Sequence, residues 1–166
     1  MPRRKKNSFL IEVLDEQDYF VVDLEKIKSI CEKILDDFTI QSGKLGVILV
    51  DSDTIHQYNR DFLKHDYPTD VISFPLVDRR LEGHLEAEIL ACTQVAQDRA
   101  PEFGWSPEEE LLLYIVHGTL HLVGFNDTTP EAQTIMQQKE RDYLAHLGIT
   151  VPKWNLDDWD EPISEN

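Results

Sequence analysis

Between Ser106 and Gly124 the chain carries a stretch with almost no polar face. Ser106-Pro107-Glu108-Glu109 is a helix-opening capping box with proline at the first helical position. The helix it starts runs through Leu111-Leu112-Leu113-Tyr114-Ile115-Val116, apolar nearly all round. Such a helix must be enclosed by other elements, so it is expected to be the central, buried one. Its end is chemically different. His117 and His121 stand four residues apart, on one face and one turn from each other. Gly124 follows three residues later, where a glycine adopts the left-handed conformation that ends a helix. From there the chain can fold back and carry Asp127 toward the two imidazoles.

Two imidazoles at that spacing grip a single transition metal, and a catalytic zinc takes three protein ligands and leaves one position open. The competing explanation is accident, since a chain with six histidines can contain one H-x-x-x-H pair by chance. Gly124 and Asp127 complete H-x-x-x-H-x-x-G-x-x-[HD], which favours the metal. The expected ligands are His117, His121 and Asp127, holding one Zn2+ per chain. The spacing is that of the metzincin zinc proteins. Position 118 is glycine, however, where a zinc protease has the glutamate that acts as general base. Ordinary proteolysis is therefore not expected. His65 and His84 stay open as substitutes for the third ligand. Glu110, seven residues before His117, either steadies a ligand histidine or is an acid favoured near the helix start by the dipole, the safer reading. Ser73 has no evident triad partners, so a nucleophilic serine is not expected.

At 166 residues the chain fits one domain with one core. The expected division is a single domain over 1–151 and an acidic tail over 152–166 containing Trp154 and Trp159. No apolar run approaches the roughly 20 residues needed to cross a bilayer. The basic start, Met1 to Lys6, is not followed by the apolar segment of a secretory signal. A cytoplasmic chain with no membrane partner is expected. Cys31 and Cys92 form no motif and read as small buried apolar residues.

The net charge of −16 opposes non-specific coating of nucleic acid. The charge is uneven. Residues 1–80 hold twelve Lys/Arg against fifteen Asp/Glu, and residues 81–166 hold four against seventeen. Contacts to a polyanion are therefore expected from the amino-terminal half.

Phe9–Leu14 reads as a short strand. Leu24, Ile27, Cys31, Ile34, Leu35 and Phe38 recur at helical spacing, which predicts an amphipathic helix over Asp23–Phe38 with Asp23 as N-cap. Lys44–Val50 is a compact apolar run expected to be a buried strand. Asp51 or Ser52 starts a helix through about Leu63. Val71–Phe74 is a strand that Pro75 is expected to stop, and Glu86–Ala91 another, leading into a helix from about Thr93. Thr128 or Thr129 caps a last helix, Glu131–His146, closed by Gly148. Strands and helices mix irregularly, so the fold class is α+β: a small mixed β-sheet packed with several helices, the metal site on the central buried helix.

Two blocks of sequence carry a family resemblance. The first is Tyr58-Asn59-Arg60-Asp61-Phe62-Leu63-Lys64 with Pro68-Thr69-Asp70-Val71-Ile72-Ser73-Phe74-Pro75, and the second is the histidine motif. Together, in order and spacing, they resemble the bacterial YbeY family of rRNA-maturation endoribonucleases over roughly residues 45–145. That family typically shows N-x-x-[FY]-R or a close variant, then T-D-V-L-S-F-P and H-G-x-L-H-L-x-G-Y-D-H. This chain departs at three places. Asn126-Asp127 stands for the family's Asp-His, Phe125 for its Tyr, and Ala87-Glu88-Ile89 for its Gly-Asp-Ile. Aspartate is an accepted zinc ligand, but it lowers the net charge on the ion and makes bound water less acidic than three imidazoles do.

The resemblance implies hydrolytic cleavage of single-stranded rRNA in association with the small ribosomal subunit. It also makes Arg60 the family-equivalent arginine, expected to receive the charge that builds on phosphoryl oxygens. On the residues alone Arg60 is an exposed helix arginine in a salt bridge. Thr69 and Asp70 are expected to orient a loop. Lys64, Arg79 and Arg80 are further candidates for RNA phosphate, each weighed against solvated surface charge. Two other classes stay open: a metalloprotease that finds its base elsewhere, and a ribosome assembly factor with a structural metal.

Overall fold

The computed structural model describes residues 8–63 and 69–152. The chain order is β1 (Ser8–Asp15), α1 (Leu24–Asp37), β2 (Ser42–Val50), α2 (Ser52–Leu63), β3 (Val71–Arg79), a 3-10 turn (Arg80–Glu82), β4 (His84–Cys92), α3 (Thr93–Phe103), α4 (Pro107–Leu122) and α5 (Pro130–His146). The four strands form one mixed sheet in the order β1-β2-β4-β3. β1, β2 and β4 run parallel, and β3 returns antiparallel to β4. The α+β expectation is met. Of the tail assigned to 152–166, everything from 153 on lies outside the described residues.

The local signals act as their chemistry requires. Asp23 accepts from the Glu25 and Lys26 amides, and Ser106 and Glu109 close the capping box reciprocally. Asp51 accepts the Thr54 amide at 2.8 Å at the start of α2. Of the two candidates before α5, Thr129 is the cap, accepting the Ala132 amide at 3.1 Å. One boundary differs from expectation. β3 does not stop at Pro75 but runs to Arg79, with a register shift between Pro75 and Val77. Proline lacks only a donor, and on an edge strand at a bulge that donor has no ladder partner to lose.

α4 lies at the centre. Leu111, Leu112, Leu113, Tyr114, Ile115, Val116 and Leu120 are all buried. The helix packs on α1, α3 and α5 and on strands β3 and β4, so every side meets protein. Leu45, Val47 and Leu49 of β2 and Leu85, Ala87 and Ile89 of β4 belong to the same core cluster. Cys31 and Cys92 are both buried and free, and burial pushes the Cys31 thiol up to about 12. The opposite sheet face is partly covered by Ile55 of α2 over Ile72 and Leu90, while Leu10 and Leu76 remain exposed. No described helix is long and apolar enough to cross a membrane.

Ile115 is fully buried and Leu10 is 55% exposed. Ile115→Ala is expected to lower unfolding free energy by about 2–5 kcal/mol, and Leu10→Ala by no more than about 0.5 kcal/mol. Urea unfolding measures both, and equally small losses would contradict the enclosure of α4.

Candidate metal centre

The end of α4 is what turns the chain back on itself. The Gly124 amide donates to the His121 carbonyl at 3.1 Å and the Phe125 amide to the Leu120 carbonyl at 3.0 Å. This is the Schellman pattern, and it requires the positive φ of 113° that Gly124 adopts. Phe125 then meets Phe38 edge-on, with centroids 5.2 Å apart, which pins the reversed chain to the end of α1. Asn126 turns its Oδ1 to the Thr128 amide and hydroxyl, at 3.3 and 2.9 Å. The Gln133 side chain donates to the Asp127 carbonyl at 3.1 Å. Asn126 is thus used up in the turn, while the Asp127 carboxylate is carried back to the histidines.

Three ligand atoms converge there. His117 Nε2 and His121 Nε2 are 2.9 Å apart, and Asp127 Oδ2 lies 3.5 Å from the first and 3.7 Å from the second. Tetrahedral zinc with ligand bonds near 2.0 Å sets its ligand atoms roughly 3.3 Å apart. The three observed edges fall on either side of that value. Among the described residues no other trio of His, Cys, Asp or Glu converges in this way.

Glu140 of α5 contacts the first of these candidate ligands, His117. Its Oε2 lies 2.6 Å from His117 Nδ1, and its side chain is only 4% exposed. A buried carboxylate in that position accepts a hydrogen bond from Nδ1–H and keeps the proton on that nitrogen, which leaves the Nε2 lone pair facing the site. Two imidazole lone pairs directed at each other across 2.9 Å repel unless a proton or cation lies between them. Burial works to lower the His117 pKa, but the carboxylates of Glu140, Asp70 and Asp127 outweigh it and hold the group above its ordinary value. The adjacent imidazoles of His121 and His117 hold the Asp127 carboxyl below its ordinary range despite partial burial. The donor set and its negative surroundings fit a divalent first-row ion.

Gly118 has a steric cause. A Cβ there would stand 2.8 Å from Ser73 Oγ and 3.2 Å from Val71 Cγ2. The Ser73 hydroxyl donates to the Gly118 carbonyl at 2.9 Å, so β3 grips α4 at this point. A glutamate at position 118, as in a zinc protease, would have to displace Ser73 and Val71, and the Ser73 hydroxyl is engaged by the Gly118 carbonyl.

The remaining candidates separate clearly. His84 sits at the start of β4, bound to Ser42 Oγ at 2.7 Å and to Glu86 at 3.0 Å, and is not one of the converging ligands. His65 and Lys64 lie outside the described residues. Glu110 is buried and accepts the Trp105 indole N–H at 2.7 Å; burial raises its carboxyl, and the acid that touches a ligand histidine is Glu140 instead. The sequence held one sign of this. Glu140 falls on the same stripe of α5 as Met136, Tyr143 and Leu144, an acid among buried apolar positions. Asp70 sits in the loop before β3, with its carbonyl taking the Cys92 amide at 2.8 Å and its carboxylate 3.5 Å from Arg99. Arg60 is 55% exposed, with its Nε 3.7 Å from Asp61. A cleft of about 530 Å³ opens beside the histidines, lined by Asp70, Ser73, Asp78 and Arg80.

Glu140→Ala is expected to weaken binding of a divalent ion by about 10–100-fold while the chain stays folded. Titration calorimetry with zinc, alongside a circular dichroism melt, separates loss of affinity from loss of fold. Parent-like affinity would remove Glu140 from the site.

Residues 12–148 match the family model described as endoribonuclease YbeY. A relative named endoribonuclease YbeY from Rhodopirellula baltica is 47% identical over 118 residues, 70% of this chain. The match spans only 60% of that relative's own length. The protein of the same name from Salinibacter ruber is 35% identical over 130 residues, covering 74% of this chain and 82% of its own. That from Carboxydothermus hydrogenoformans is 33% identical over 143 residues, covering 84% and 99%. The fold is similar to the solution structure of TM1509 from Thermotoga maritima, with a TM-score of 0.57 and 29% identity over 93% of this chain and 99% of that one. A family match that spans the sheet, the central helix and the converging ligands places this chain in the YbeY family of endoribonucleases.

Proposed function

We propose that this chain is a zinc-dependent, single-strand endoribonuclease of rRNA maturation, acting in the cytoplasm on RNA of the small ribosomal subunit. One observation carries the reading: in a chain of an endoribonuclease family, His117 Nε2, His121 Nε2 and Asp127 Oδ2 converge beside an open cleft. These three residues hold the ion, and their borderline nitrogen and oxygen donors suit zinc. Bound there, a divalent ion supplies Lewis acidity toward a phosphoryl oxygen and acidifies water toward neutral pH. Glu140 keeps His117 in the tautomer that presents Nε2. Ser73 holds the helix bearing both histidines against β3, so the ligand set is fixed before RNA arrives. Position 127 is anionic where the family pattern has histidine, so this chain offsets more of the ion's charge than a three-imidazole site does.

Arg60 is our candidate for stabilising charge on the phosphoryl oxygens, on the strength of its place in the Tyr58–Lys64 block. Its guanidinium is accessible at the end of α2 and, among the described residues, is paired with the neighbouring Asp61, a surface pair that costs little to break.

Asp127→Ala is expected to lose most zinc affinity, Asn126→Ala much less, and Asp127→His to retain the ion, both His and Asp being zinc ligands. Competition against a fluorescent chelator reads all three. Equal affinity in Asp127→Ala and the parent would reduce the site to its two histidines. Arg60→Ala should keep zinc and fold but slow RNA cleavage by about 10²-fold or more, with Arg60→Lys a poor rescue. Parent-like cleavage by the alanine variant would return Arg60 to plain surface charge.

A further inference from the structure

A phosphodiester strand entering the His117/His121 cleft of so acidic a chain needs a fixed cation to meet it. Among the described residues, Arg80 is the only lysine or arginine lining that cleft. It also lines a second cleft of about 720 Å³, whose apolar wall includes Phe38, Leu81 and Val123. Asp78 and Arg80 are common to both, so the two clefts meet across this pair.

The guanidinium is oriented rather than free. Asp78 Oδ1 takes the Arg80 Nε at 2.8 Å and its backbone amide at 3.3 Å. That pairing holds the Asp78 carboxyl below its ordinary range, so Asp78 stays charged and keeps its grip. The described residues give Nη1 and Nη2 no acceptor. On its other side the group rests on the turn leading to Asp127, since a Cβ at Gly124 would stand 2.7 Å from Arg80 Nη1. Glycine at 124 therefore serves two ends: it permits the helix-ending φ, and it leaves space for this guanidinium. Arg79, next in the chain, is already paired with Glu82.

We propose that Arg80 is the phosphate-binding residue of a continuous groove, carrying single-stranded RNA from the metal centre into the cleft of Phe38, Leu81 and Val123. The fork of Nη1 and Nη2 grips the backbone phosphate next to the one that is cleaved. Bases beyond it lie along the apolar wall, contacts that tolerate any sequence. This proposal rests on the endoribonuclease reading above.

The test is binding of a labelled single-stranded oligouridylate to the full chain in excess EDTA, with affinity followed against salt. Chelation removes both cleavage and any contribution of the metal. Arg80→Ala is expected to weaken binding about ten-fold or more. It should also reduce the slope of log affinity against log salt by about 0.7, the loss of one phosphate contact to a single strand. Arg80→Lys keeps the charge and should keep the slope while recovering affinity in part. Lys28→Ala, a charge on α1 paired with Glu25, controls for net charge and should leave the slope unchanged. A parent-like slope and affinity in Arg80→Ala, with the parent binding RNA, would overturn this assignment and leave the endoribonuclease reading intact. Failure of the parent chain to bind RNA without the metal would overturn this assignment, and failure of the zinc-loaded parent to bind or cleave it would overturn both. A slope lowered equally by Lys28→Ala would reduce Arg80 to bulk charge.

Discussion

An α-helix without a polar face can persist in water only inside other structure, and the rest of this molecule is arranged around that need. α1, α3, α5 and one face of the sheet supply the enclosure of α4. Its carboxyl-terminal turn is where the burial relaxes. There His117 and His121 are part-buried, and the carbonyl end of the helix is electrically suited to a cation. Two of the three residues that could hold a metal are thus carried by the most enclosed helix of the fold, as a preorganised site requires.

Two contacts keep that arrangement in place, and both come from elements distant in sequence. Glu140 presses on His117 from α5, and Ser73 grips the Gly118 carbonyl from β3. The helix is held at two consecutive residues by α5 and by β3. Gly118 is small because the sheet is close, and its smallness also removes the protease general base. One packing requirement therefore bears on which chemistry the centre can perform.

Electrostatics sharpen the same point. A chain of net charge −16 repels RNA at long range, and Asp70 and Asp127 add to this near the cleft. In the reading proposed above, attraction at contact distance falls to a bound divalent ion, to Arg80 in the cleft and to Arg60 of α2. Asp78 acts as the holder of Arg80 rather than as a repelling charge, since its oxygen already accepts that guanidinium. Such a surface disfavours loose polyanion binding.

The amino-acid sequence by itself determined much of this. The enclosed helix, its capping box, the histidine spacing, the glycine that reverses the chain and the α+β class all follow from short-range patterns. Rules of helix and strand periodicity act over a few residues, and so does the grip of two imidazoles four apart. Tertiary structure alone decided what depends on distant partners. It carried β3 past Pro75 because that strand lies at an edge, and set His84 with Ser42 and Glu86, apart from the converging ligands. It brought Glu140 to His117 across 23 positions and Ser73 to Gly118 across 45. Arg80 carries no local sign of its place, because the turn between β3 and β4 meets the end of α4 only once the sheet has formed.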